Sequence, residues 1–283
     1  MTTFLVAACI VTAGQFAAGE AELVAEDCRF TEGPVWLSSG ELLFSDIPAN
    51  RIYRADKRVF REPSGQSNGL ALDRAGRLLA AEHANRRVSR TEPDGSITVL
   101  AEHFEGKRFN SPNDLAVAKN GDIYFTDPPY GLQGRLESPD ADMDYCGVYR
   151  ISGSGKIDLL TKEIKMPNGI VLSPDEKRLY VADSQFGYIQ VYELGPDGLP
   201  KNSRRFTDVP GPDGMAMDYR GNVWTTARDG VRVYSPAGEL LETIAVPQKP
   251  ANCTLGGPEG KTLFVTARTA VYKIALAERA VRR

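Results

Sequence analysis

The chain has 283 residues, 42% of them hydrophobic and 25% charged, with a formal net charge of −3. These are the proportions of a soluble globular protein, long enough to bury a sizeable core in one large domain or two ordinary ones. Acidic and basic residues are mixed and no basic block occurs, which argues against nucleic acid as a partner, and beyond the first twenty residues no apolar run reaches the length of a membrane span.

The opening stretch MTTFLVAACIVTAGQFAAGEA is apolar, rich in small residues and uncharged until Glu20. It resembles a secretory signal with small-residue cleavage positions near Gly19 or Ala21, although it lacks a positive n-region. Residues 1–21 are therefore expected to be a signal peptide or a disordered leader. A signal peptide makes the protein periplasmic or secreted; otherwise it is cytoplasmic. The four cysteines, Cys9, Cys28, Cys146 and Cys253, form no C-x-x-C pair, and loss of the leader leaves an odd number. They read as core thiols. Histidine occurs only at His83 and His103, too few for a His-rich zinc site.

From Glu32 onward the chain repeats. Glu32-Gly-Pro-Val-Trp, Asn68-Gly-Leu-Ala-Leu, Asn113-Asp-Leu-Ala-Val, Asn168-Gly-Ile-Val-Leu, Asp213-Gly-Met-Ala-Met and Asn252-Cys-Thr-Leu-Gly share a frame, at intervals of 36, 45, 55, 45 and 39 residues. Each copy runs from a polar marker through a short apolar strand to a turn (LSSGE, DRAGR, AKNGD, SPDEK, DYRGN, GPEGK) whose Gly, Asn, Asp and Pro suit tight hairpins. Second strands follow (ELLFSD, RLLAAE, DIYFTD, RLYVAD, NVWTTA, TLFVTA), then third strands (RIYRAD, RRVSRTE, GVYRIS, YIQVYEL, VRVYSP, AVYKIA), all rich in aromatic and β-branched residues. Six small antiparallel sheets in one frame predict an all-β fold, a six-bladed β-propeller over residues 22–283. The sixth copy has three clear strands, and AELVAE at 21–26 is expected to close it. The longest insertion, Gly131 to Cys146, is expected to loop over one face. A helical stripe is expected only in the last ten residues.

The first strand of each propeller blade lines the central channel, so the six markers are predicted to ring one mouth. Two carboxylates, Glu32 and Asp213, would converge there with the amides of Asn113 and Asn168 and would repel without a cation between them. Such an all-oxygen set suits calcium, magnesium or manganese; the alternative is a hydrogen-bonded ring with no ion. The second strands return to the same mouth at Asp46, Glu82, Asp127 and Asp183, with His83 and Tyr130 close behind. These are candidate substrate contacts. Gly65-Gln66-Ser67-Asn68-Gly69 matches a G-x-S-x-G nucleophile elbow, but a proline-containing loop precedes it and a strand follows where a helix is needed. Ser67 is not read as a nucleophile.

EGPVW, AEHANRRVSR, SPNDLAV, IYFTDPPYGL, PNGIVLSPDEKRLYVAD, GPDGMAMD and GGPEGKTLFVT, in that order, resemble the senescence marker protein/gluconolactonase/luciferin-regenerating-enzyme-like family. The likeness runs from about residue 25 to 275. It implies a six-bladed propeller with one divalent cation at the channel mouth, calcium first, with zinc, magnesium or manganese as alternatives. Glu32 and Asn168 then look like metal ligands, Asp213 like ligand and catalytic base, and Asn113 like a further ligand or substrate contact. Some lactonase members have an Arg two residues before that Asn; here it is Ser111, which leaves the sugar preference open. The implied chemistry is hydrolysis of a small-molecule sugar lactone, the cation acting as Lewis acid and Asp213 as general base. Hydrolysis of organophosphates at the same site, or ligand binding without catalysis, are the alternatives.

Overall fold

The computed structural model describes residues 16–281. Among them are six four-stranded antiparallel sheets, the blades of a β-propeller. The innermost strands, in chain order, are Thr31–Trp36, Ser67–Leu72, Leu115–Val117, Pro167–Leu172, Met215–Met217 and Asn252–Gly256. Blade six takes its outermost strand from the other end of the chain: Glu22–Ala25 pairs with Ala270–Ala275. That closure is the one expected from AELVAE. Most of the leader expectation falls on residues 1–15 and, with Cys9, lies outside the described residues. Phe16 meets Trp224 edge-on, with ring centroids 5.3 Å apart. Ala17 bridges Leu276, so residues 16–18 extend blade six.

The blades are wedged together by six apolar clusters, each shared by two neighbours. Strand pleating explains why. Along Arg178–Asp183, Leu179 and Val181 face the blade-three side while Tyr180 and Ala182 face blade five. A strand buried on both faces reads as a continuous apolar run, as RLYVAD does. The outermost strand Pro200–Asp208 is exposed and carries charged and polar residues along its free edge, which discourages pairing with another chain. Cys28, Cys146 and Cys253 are buried free thiols, as expected.

One expectation changes. Among the described residues the sole helical element is a 3-10 turn at Arg135–Glu137, inside the Gly131–Cys146 loop. The last ten residues give no helix in their described part, because the backbone of Leu276 is already engaged with Ala17.

Candidate active site at the channel mouth

The inner strands converge on the channel axis, and this leaves little room for side chains just after each marker. Four copies place glycine there: Gly33, Gly69, Gly169 and Gly214. A Cβ on Gly169 would lie 2.3 Å from the carbonyl oxygen of Asp213. The same glycines stitch neighbouring blades: Gly69 N–H donates to Asn113 O at 2.7 Å, and Gly169 N–H to Asp213 O at 2.9 Å. Asn113 and Asp213 are thus each positioned by the glycine of the preceding blade. We expect Gly169→Ala to cost about 1–3 kcal/mol, the usual range for overpacking, by pushing against the Asp213 carbonyl. The melting temperature of this variant checks it against Gly153→Ala, whose added carbon would meet nothing nearer than 3.8 Å. Equal behaviour of the two variants would rule the idea out.

Five of the six markers line one cavity of about 880 Å³: Glu32, Asn68, Asn113, Asn168 and Asp213. His83 and Tyr130 line it too, as expected. The amides form a relay. Asn68 Nδ2 donates to Asn113 Oδ1 at 2.6 Å, and Asn113 Nδ2 to Asn168 Oδ1 at 2.8 Å. Asn168 Nδ2 lies 3.3 Å from the Tyr130 hydroxyl, itself 2.5 Å from Ser184 Oγ. Asn68 Oδ1 is buried and has no hydrogen-bond donor.

The sixth marker departs from expectation. Asn252 is buried in the channel below the mouth, where its Nδ2 is 3.4 Å from Asp114 Oδ2. Asp114 belongs to blade three and Asn252 to blade six, so this contact crosses the axis. The frame explains it: Asp114 stands where four other copies have glycine, so a side chain enters the channel there. Asp114 was missed as a site residue. The signal was present in Asn113-Asp114 set beside Asn68-Gly69 and Asn168-Gly169.

Asp127 is corrected. It is fully buried, and its two oxygens accept the N–H groups of Asn110 and Ser111, each at 2.8 Å. It anchors the loop entering the inner strand and does not line the cavity. Asp46 holds Arg29 and Phe30 N–H in the same way, and Asp183 holds Lys165 N–H. Glu82 is taken up by Arg61 and Arg87. The expected substrate contacts at the ends of the second strands are therefore structural, because each carboxylate saturates backbone or guanidinium donors beneath the mouth. Ser67 is equally committed: it is fully buried, bonded to Ser45, and begins a strand.

Three carboxylates share the channel. Burial and the nearby charge of Asp213 push the Glu32 carboxyl well above its ordinary range, against donors from Gly33 N–H and Asn252. Asp213 is raised by desolvation, while Lys249, a hydrogen bond from Asn168 and Arg268 oppose the rise. Burial pushes Asp114 up to about 7. Burial also lowers His83 to about 4, so its ring is neutral near pH 7 and adds no positive charge. Glu32 and Asp213 thus stand close enough to repel one another at the channel mouth, with Lys249 and Arg268 acting on Asp213 from its rim.

A six-bladed propeller with acids and amides gathered at one mouth has the form of a channel-mouth enzyme. Residues 30–269 match the model of the SMP-30/Gluconolactonase/LRE-like region, and the chain belongs to that family. A gluconolactonase of Zymomonas mobilis is 38% identical over 89% of this chain and 80% of its own length. A pentonolactonase of Haloferax volcanii is 27% identical over 86% of this chain and 83% of its own. The solved structure of a gluconolactonase from Xanthomonas campestris superposes with a TM-score of 0.83 at 31% identity, covering 92% of this chain and 91% of that one. The chain is a lactone-hydrolysing enzyme of this family.

Proposed function

We propose that this chain opens sugar lactones by metal-assisted hydrolysis, with Glu32, Asn168, Asp213 and Asn113 holding one divalent cation and Asp213 also serving as general base. The observation that supports it is the convergence of two desolvated carboxylates, Glu32 and Asp213, with buried amides in one cavity. Among the described residues no cluster of three or more His, Cys, Asp and Glu side chains could hold a metal, so amides must complete the donor set. The residues fit such an ion. All are hard oxygen donors, the nearby His83 is neutral, and Asn68 Oδ1 is a buried acceptor without a donor. Six to eight oxygen ligands in flexible geometry favour calcium, with magnesium, manganese and zinc as alternatives.

When bound, the cation supplies Lewis acidity at the lactone carbonyl oxygen. The chain's own residues do the rest. Asp213 takes a proton from water as the water oxygen attacks the carbonyl carbon. The ring C–O bond then breaks, and Asp213 returns that proton to the departing ring oxygen, which becomes the free hydroxyl of the product. Its hydrogen bond from Asn168 fixes the carboxylate edge that faces the water. Tyr130 and Ser184 hold Asn168 in turn. Asn113, His83 and Tyr130 line the cavity where the sugar hydroxyls lie.

Turnover of a panel of aldonolactones, before and after chelation, tests the reading. We expect hydrolysis above the spontaneous rate, its loss on chelation, and recovery with calcium. Full turnover in the chelated protein would sink the metal-assisted route.

A further inference from the structure

We infer that the mouth carries an anion subsite built from Arg29, Arg228 and Lys249, which receives a second, non-reacting anionic group (carboxylate, phosphate or sulfonate) on the lactone. The inference rests on the proposed reading of the mouth as the lactone site. Its starting point is charge. The cavity lining holds four cations, Arg29, Arg135, Arg228 and Lys249, against two acids, Glu32 and Asp213. The chain as a whole has a net charge of −3, so this excess is local. A bound divalent cation makes the mouth more positive still.

The cations are not spread evenly. Arg228 follows the second strand of blade five, Val223–Ala227. Lys249 precedes the inner strand of blade six, and Arg29 precedes that of blade one. Blades five, six and one are consecutive around the ring, so the three cations occupy one arc. Arg268 lies behind them, its guanidinium 5.6 Å from the centre of the Phe30 ring. The opposite arc, blades two to four, presents neutral groups: Asn68, His83, Asn113, Tyr130, Asn168 and Ser184. Arg135 is on that side, 5.9 Å from the centre of the Tyr130 ring.

The arc cations also lack close ion pairs, although Asp213, which begins blade five, feels the charge of Lys249 at longer range. Twelve arginines elsewhere lie within 4.0 Å of a carboxylate. Among the described residues, Arg29, Arg228 and Lys249 have no such ion pair. Two of the three are held in place by other means. Arg29 lines the cavity and donates to the carbonyl of Pro48 at 3.2 Å. Arg228 passes over Gly211, where a Cβ would come within 3.2 Å of its Nε. Like charges gathered on one arc repel one another, and a guanidinium fork matches carboxylate, phosphate or sulfonate oxygens. The field of such a mouth also speeds the arrival of anions, an effect that salt screens. A neutral sugar ring uses none of this; an anionic substituent remote from the scissile carbonyl uses all of it. The substrate then lies with its hydroxyls toward blades two to four and its charged end toward blades five, six and one.

Two measurements test this on the calcium-loaded protein. The first compares kcat/KM for D-glucono-1,5-lactone, its 6-phosphate and the monolactone of glucaric acid at low and high salt. We expect the anionic lactones to be favoured about tenfold or more at low salt, through KM, and the preference to shrink in salt. Arg29→Gln with Arg228→Gln should cut the anionic-to-neutral ratio about tenfold. No preference, or an unchanged ratio in the double variant, would overturn the subsite. The second measurement is calorimetric binding of gluconate against 6-phosphogluconate, which needs no turnover. Tighter binding of the dianionic acid, lost in the double variant, supports the subsite even if no lactone is hydrolysed and the functional reading itself fails. Equal binding of the two acids by the wild type overturns it.

Discussion

Asp213→Asn is expected to lower lactone turnover by about 10² to 10⁴, the usual contribution of a general base, equivalent to roughly 3–5 kcal/mol of barrier. The substitution keeps an oxygen donor of the same size and removes the basic site. Cation affinity should therefore fall only moderately, and excess calcium should not restore the rate. Glu32→Gln differs in kind. Glu32 is more deeply buried than Asp213, and its Oε2 accepts Gly33 N–H at 3.0 Å. Its loss should act mainly through the ion, so added calcium should recover part of the activity. Single-turnover rates across a calcium titration separate the two. Recovery of Asp213→Asn to near wild-type rate would reduce Asp213 to a ligand. Asp127 could not then take over, because both its oxygens already serve the backbone of residues 110 and 111.

Asp114→Asn should change the pH dependence of stability in the metal-free protein. Burial lifts the Asp114 carboxyl to about 7, above its ordinary value of 3.8. The folded state therefore keeps a proton that the unfolded chain releases between about pH 4 and 7. The stability this proton confers is complete below the unfolded value and is lost as pH rises through the folded one. A difference of about 3 in pKa is worth about 4 kcal/mol at full titration. Other carboxylates contribute slopes of either sign, so the informative quantity is the difference between wild type and variant. In chelator, Asp114→Asn should gain on the wild type in melting temperature between pH 5 and pH 8. Calcium should narrow that gap by offering the ionised carboxylate a nearby positive charge. A gap that stays constant with pH would mean that Asp114 is already ionised, or already neutral, throughout.

The propeller was legible because its determinants are local and repeated. Each hairpin carries its own turn residues, each second strand is apolar on both faces, and the recurring marker sets the frame. Closure of the ring by Glu22–Ala25 was legible too, since the sixth copy lacked a strand and a spare one stood at the other end. The markers Glu32, Asn113, Asn168 and Asp213 could be placed at one mouth because chain direction in a blade fixes which end of the inner strand faces it. Tertiary structure alone decided what the remaining polar groups do. The carboxylates Asp46, Asp127 and Asp183 end their strands beside the mouth, yet backbone N–H groups of their own blades claim them, and a sequence does not state which donors will be left unpaired. Asp114 enters the channel because its neighbours at that level are glycines from four other blades, a juxtaposition that exists only once the ring closes. Arg29 and Lys249 are 220 residues apart in the chain, and with Arg228 they become one arc because closure puts blade six beside blade one. A local pattern fixes each blade; the sharing of space and charge between blades is a property of the closed ring.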